Sequence, residues 1–183
     1  MSGKVKVSKE EFAVLLLKWF AMNYGREAIK QDAKVFCLTG EGPLESREGK
    51  ELFGLNLSDT KEFTVLAEEL IALNTWIIVE ACQITLEDVE KRNDCLDIFH
   101  RRLFDQFFRE AGDDFEKWLV YLTLKYYEYR KALKTDLWAL GYLIQRNLHG
   151  DGFPRAVLDF HILLYVIGKI EALGKALAQY EIE

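Results

Sequence analysis

The chain has 183 residues, half of them hydrophobic and 13% aromatic, a composition that excludes a disordered chain and suits one compact domain. Its net charge of -6 comes from 24 Lys and Arg interspersed with 30 Asp and Glu. The basic clusters KVKVSK and YRKALK are short, so a nucleic-acid partner is not expected.

Helix signals begin early. Ser8 and Glu11 have the spacing of a capping box, and Phe12, Leu15, Leu16 and Trp19 follow at helical spacing, which predicts a first helix over 9–24, ended by Gly25. Residues 26–57 lose this periodicity. They include a locally strand-like VFCLT and the glycine- and charge-rich GEGPLESREGKELFG, and they read as a long irregular loop.

Asp59 with Glu62 caps a predicted second helix running to Ile84, and Thr85 with Asp88 looks like a fresh cap for a third running to Ala111. Asp113 with Glu116 caps a fourth, over 114–133, rich in aromatics: Phe115, Trp118, Tyr121, Tyr126, Tyr127 and Tyr129. Thr135 either starts a fifth helix ending at Gly150 or lies inside a longer fourth. Pro154 suits the first turn of a final helix reaching Tyr180. The expected fold is therefore all-α, a single-domain bundle of five to seven helices spanning 1–183.

Three cysteines, Cys37, Cys82 and Cys95, lack both CxxC and Cys/His ligand spacing. They read as reduced thiols of a cytoplasmic protein. No convincing signal peptide precedes the first helix, and no run reaches the roughly 20 apolar residues that cross a bilayer. The uncharged run FHILLYVIG, 160–168, is a core helix by its length, and no membrane partner is expected.

Wheel arithmetic then asks which polar groups point inward. On the second helix Phe63, Leu66, Leu70, Leu73 and Ile77 continue onto Glu80 and Ile84, yet Glu80 projects at the border of the polar sector with Glu62 and Glu69. Glu80 is thus a boundary residue. The run around it, apolar on nearly every side, marks this helix as central. On the third helix Val89, Leu96, Leu103 and Phe107 define a narrow face that includes His100. Asp97, three residues earlier, lies beside it and could fix the imidazole tautomer or raise its proton affinity. If the second and third helices form a hairpin about Thr85, Glu69 faces His100, each roughly 23 Å from the turn at about 1.5 Å per residue. Glu69, Asp97 and His100 are the candidate ligand- or metal-binding residues.

Asp97-x-x-His100 is similar to half of a dimetal helical-bundle site, but Asp159-x-His161 is the nearest thing to a second half and its spacing splays the side chains apart. NDCLD, 93–97, has too few acids for a magnesium-diphosphate motif. No phosphate loop, nucleophile elbow or HExxH is present, and neither a cofactor nor a catalytic residue is expected. Two functions of different class follow. The leading one is a soluble, non-enzymatic module that binds a protein partner or itself, through the last helix with its small residues Gly168, Ala172, Gly174 and Ala178, or through the aromatic fourth helix. Its rival is a pocket protein or enzyme in which Glu69, Asp97 and His100 hold a metal or small ligand.

Overall fold

The computed structural model describes residues 4–23, 60–109, 114–136, 138–149 and 156–183. Of the side chains within these ranges, those of 60–63, 149, 156–158 and 161 are outside the description. The fold is all-α. In chain order the described elements are β1 (Val5–Val7), α1 (Lys9–Asn23), α2 (Thr60–Thr85), α3 (Val89–Phe107), α4 (Phe115–Thr135), α5 (Ala139–His149), α6 (Ala156–Leu177) and β2 (Tyr180–Ile182). The expected irregular segment 26–57, with Cys37 and the cap residues Asp59 and Asp113, lies outside the described residues.

The helix starts follow from local polar chemistry. At α1 the backbone N–H of Ser8 donates to Glu11 Oε2 at 2.8 Å and that of Glu11 donates to Ser8 Oγ at 3.2 Å, the reciprocal pair of a capping box. At α3 the cap is Asp88, whose Oδ1 accepts from the N–H of Lys91. Thr85 does not take the cap position expected of it, because α2 runs through it and residues 86–88 form a short link before α3. Ahead of α4 the acceptor for the N–H of Glu116 is Asp114. The fourth and fifth helices are separate, with the break at Asp136, whose Oδ1 accepts from the N–H of Trp138. Thr135 ends α4 instead of opening α5, since its hydroxyl donates back to the Lys131 carbonyl.

Two compact units share these helices. The first comprises residues 1–23, 74–124 and 168–183, and the second 24–73 and 125–167. In the first, α1 packs along α3, with Phe12, Leu16 and Phe20 of α1 and Phe99 and Leu103 of α3 fully buried. Phe20 meets Phe107 at 5.8 Å between ring centroids, and Lys9 is ion-paired with Asp94. Burying each of these large side chains contributes about 1.5–3 kcal/mol, far more than the exposed end of such an ion pair.

The same unit holds the one feature that hydrophobic periodicity gave no reason to expect, a parallel pairing of β1 with β2 in which Val5 lies opposite Tyr180 and Val7 opposite Ile182. By sequence KVKV belongs to a basic cluster and Tyr180 to the end of the last helix. In fact α6 stops at Leu177, and the short alternating run YEI becomes a strand once β1 supplies ladder partners.

In the second unit Leu66, Leu70 and Leu73 of α2 are buried, as are Tyr129 of α4, Leu140 and Ile144 of α5, and Ile162 and Val166 of α6. Here α5 and α6 approach so closely that a Cβ on Gly141 would overlap the backbone of Asp159. Glycine is required there by the crossing. Along α2, residues 70–73 of the second unit and 74–79 of the first are all buried, and Glu80 is half-buried. Ile84, in the last turn of α2, is exposed instead of continuing the apolar face. Val89, the first residue of α3, is likewise exposed at the end of the face it was expected to share with Leu96 and Leu103.

Candidate functional site

The sequence-derived candidates fall into different units: Glu69 in the second, Asp97 and His100 in the first. Each has its own surroundings.

Glu69 is a buried carboxylate, 4% exposed, on α2. Its Oε2 accepts from Lys125 Nζ at 2.8 Å, and its Oε1 accepts from Tyr129 Oη at 2.8 Å and from Asn147 Nδ2 at 3.0 Å. Lys125 and Tyr129 are four residues apart on α4 and so share a face, while α5 supplies Asn147. A charge taken out of water at this depth persists only if paired and hydrogen-bonded, and three donors on two oxygens satisfy that condition. The carboxylate is occupied by its own protein.

His100 is buried among aromatics, with the Phe99 ring at 5.3 Å and Trp118 edge-on at 6.4 Å. Burial pushes its pKa down to about 4, and the hydrogen bond to the Leu96 backbone and the charge of Asp97 offset this only in part. The imidazole is therefore neutral at pH 7. Asp97 does favour the protonated form, as its spacing suggested, but desolvation outweighs it; Asp97 itself is exposed. Among the described residues no group of three or more His, Cys, Asp or Glu side chains could hold a metal ion.

Other polar groups are placed in the interior beside these candidates. Asp159, 5% exposed on α6, accepts a hydrogen bond from Gln145 Nε2, and burial raises its carboxyl above the usual range against the opposing effect of that bond. Lys169 donates to Asn23 Oδ1 at 3.0 Å and Asn74 Oδ1 at 3.2 Å and lies 5.8 Å from the centroid of the Trp19 ring. The thiols of Cys82 and Cys95, both buried, are pushed up to about 12 and about 11, chiefly by burial, so neither is a thiolate nucleophile. The usable signal for the Glu69 partners was the spacing Trp118, Leu122, Tyr126, Tyr129, which identifies the inner face of α4 and places Lys125 at its margin.

Two surface grooves of the first unit, 420 and 350 Å³, are lined by residues of β1, α1 and β2 and by the link between α2 and α3. Neither is lined by Glu69, Asp97 or His100. The surface carries more than the interior. In the second unit Trp138 and Tyr142 are 46% and 42% exposed, and Phe160, Leu164 and Ile167 of α6 are 42%, 49% and 37% exposed. Phe160, Leu164 and Ile167 follow at spacings of four and three and share one side of α6, and the Trp138 ring meets that of Phe160 at 5.3 Å between centroids, tilted by 40°. The run 160–168, expected to be a core helix by its length, is buried on one side only: Ile162, Leu163 and Val166 face the core, and the opposite side faces outward. The small residues Gly168, Ala172 and Ala178 are exposed, and a Cβ on Gly168 would meet nothing within 4 Å. No helix among the described residues is long and apolar enough to cross a membrane. Compared with known protein families, with curated proteins and with solved structures, the chain finds no match in any of the three.

Proposed function

We propose that this chain is a non-enzymatic helical module that works by binding another protein, a second copy of itself included, through the aromatic face of α5 and α6. The observation that carries the reading is the exposure of Trp138, Tyr142, Phe160, Leu164 and Ile167 in one unit, with Trp138 against Phe160 and the last three on one side of α6. Isolated exposed apolar residues need no explanation, but an aromatic cluster costs solvation unless something covers it. Residues 138–145 and 160–168 contain no Lys, Arg, Asp or Glu, so the face offers nothing to a charged ligand. Rigid aromatic anchors of this kind dominate binding energy at protein interfaces.

Two further observations favour this reading over a ligand pocket. Glu69 is saturated by Lys125, Tyr129 and Asn147, and His100 is enclosed by aromatic rings. The unbridged, buried Cys82 and Cys95 fit a reducing compartment, the cytoplasm.

The test places a photo-crosslinking amino acid at Leu164 in the cells that make the protein. A discrete adduct should form that is absent when the same group stands at Lys175, and it should be lost in a folded Trp138→Ser/Phe160→Ser variant. Adducts identical at the two positions, or an adduct that survives the double substitution, would refute the assignment. Stoichiometric iron, manganese or zinc in the purified protein, lost on His100→Ala or Glu69→Gln, would overturn it in favour of a metal pocket.

A further inference from the structure

A groove of 420 Å³ runs along the outer side of α1, wholly within the first unit. Its floor is apolar and half-buried: Val14 and Leu15 of α1, with Val7 of β1 and Tyr180 of β2 at one end. Four exposed charges line it, Glu10, Glu11 and Lys18 on α1 and Arg102 on α3. Among the described residues neither Lys18 nor Arg102 forms an ion pair. At about 100° per residue Glu11, Val14, Leu15 and Met22 project within roughly 60° of Lys18, on the side of α1 away from the buried Phe12, Leu16 and Phe20. Met22 is 71% exposed.

We propose that two copies of this chain pair along α1 in antiparallel orientation, about a two-fold axis level with Val14 and Leu15. Such an axis, perpendicular to both helices, inverts heights along them and leaves each flank facing the same flank of the second copy. Val14 and Leu15 then lie against Leu15 and Val14 of the other chain. At about 1.5 Å per residue Glu11 and Lys18 stand roughly 5 Å to either side of the axis, so each Glu11 comes level with Lys18 of the second copy, and Glu10 comes within roughly 2 Å of the same height. Met22 of the second copy, roughly 11 Å from the axis, reaches the end of the groove lined by Val7 and Tyr180, where an unbranched, flexible side chain fills an irregular gap.

Arg102 joins the same pattern. α3 runs parallel to α1, since Lys9 pairs with Asp94 near one end and Phe20 meets Phe107 near the other, and this sets Arg102 level with residues 15–17 of α1. The second copy's Glu11 stands roughly 3 Å from that height on the front of its own α1, whereas the second copy's Arg102 is rooted on α3 behind it. Each charge lining the groove therefore has an opposite one at its own height, twice over. Parallel pairing would set Glu10 on Glu10, Glu11 on Glu11 and Lys18 on Lys18, and like charges opposite one another disfavour it. An anionic or a cationic ligand would answer one end of the groove and oppose the other. The occupant that answers both carries acid, two apolar residues and base at the spacing of Glu11, Val14, Leu15 and Lys18, which is the pattern of α1 itself.

Light scattering of the full chain after size exclusion, at tens of micromolar and low ionic strength, should give a dimer. Lys18→Glu should weaken it at least tenfold and Met22→Glu severalfold, and both positions are exposed, so the circular dichroism should not change. Glu11→Lys, whose backbone N–H still donates to Ser8 Oγ, should weaken it as Lys18→Glu does. Mixing the Lys18→Glu and Glu11→Lys chains should restore a dimer with one copy of each, because positions 11 and 18 are then opposite in sign at both contacts, while neither variant pairs with itself. A monomer under these conditions, a dimer indifferent to Lys18→Glu, or a mixture no more dimeric than its components would overturn the proposal. So would a dimer abolished by the folded Trp138→Ser/Phe160→Ser variant, which should leave this contact intact. Crosslinking at Leu164 reads the other face, so either can fail without the other.

Discussion

Replacing Glu69 by Ala removes the acceptor for three donors at once. The carboxylate is 4% exposed, the Lys125 side chain 17% and Tyr129 fully buried, so little water can take its place. Deleting one partner of a buried ion pair leaves an uncompensated charge and costs about 3–5 kcal/mol. The Tyr129 hydroxyl and the Asn147 amide also lose a bond, but these losses overlap with the first, because the side chains relax together, and the sum stays near the upper end of that range. For a chain of this size each kcal/mol lowers the melting temperature by about 2–4 °C, so the drop should be on the order of 10 °C or more. Glu69→Gln keeps the shape and loses the charge, and should fall in between. Urea denaturation followed by circular dichroism and by tryptophan fluorescence measures the effect, and a Glu69→Ala/Lys125→Ala double-mutant cycle isolates the pair. A loss below about 1 kcal/mol, or additive single effects, would show that the network does not hold the second unit together.

His100 sets an acid limit. Its pKa is about 4 folded against 6.5 unfolded, so the unfolded chain binds the extra proton first. Stability from this residue is complete above pH 6.5 and declines as pH falls toward 4, by about 3 kcal/mol in all, a dependence that His100→Leu should remove from the urea midpoint. Gly141→Ala should destabilise by about 1–3 kcal/mol despite its better helix propensity, since the new methyl meets the Asp159 backbone, whereas Gly168→Ala, with open space around it, should be neutral or stabilising by up to about 1 kcal/mol. In a Cys37→Ser variant, Cys82 and Cys95 should resist iodoacetamide at pH 8 in the folded protein and react once urea unfolds it; fast native alkylation would contradict their burial.

Features written in neighbouring residues were legible in the sequence. The capping box of Ser8 and Glu11, the inward position of His100 and the edge position of Glu80 all depend on i, i+3 and i+4 geometry. The structure agrees on each. What escaped was contact between distant segments. Glu69 is separated from Lys125, Tyr129 and Asn147 by 56, 60 and 78 residues, and a helical wheel cannot say which neighbour a polar side chain will meet. β1 and β2 fared worse, because three-residue strands carry too little alternation to be seen before their partner is known. The uncharged run 160–168 has two faces, one buried and one exposed, and its composition does not say which side a neighbour takes.

The parallel ladder also has a mechanical meaning. The N–H of Val5 donates to the Gln179 carbonyl at 2.8 Å, and the N–H of Glu183 donates to that of Val7 at 3.0 Å, with Lys6 paired to Glu183 alongside. A pull on β1 from the Lys4 side and on β2 from the Glu183 side acts in opposite directions along parallel strands. It loads these bonds in shear, all at once, and none can peel before the others. In single-molecule stretching between those two points, the first unit should therefore give way in one abrupt step, and Val7→Pro, which deletes a ladder donor, should lower the rupture force. A clamp of two tripeptides makes the first unit stiffest along the direction of its two strands.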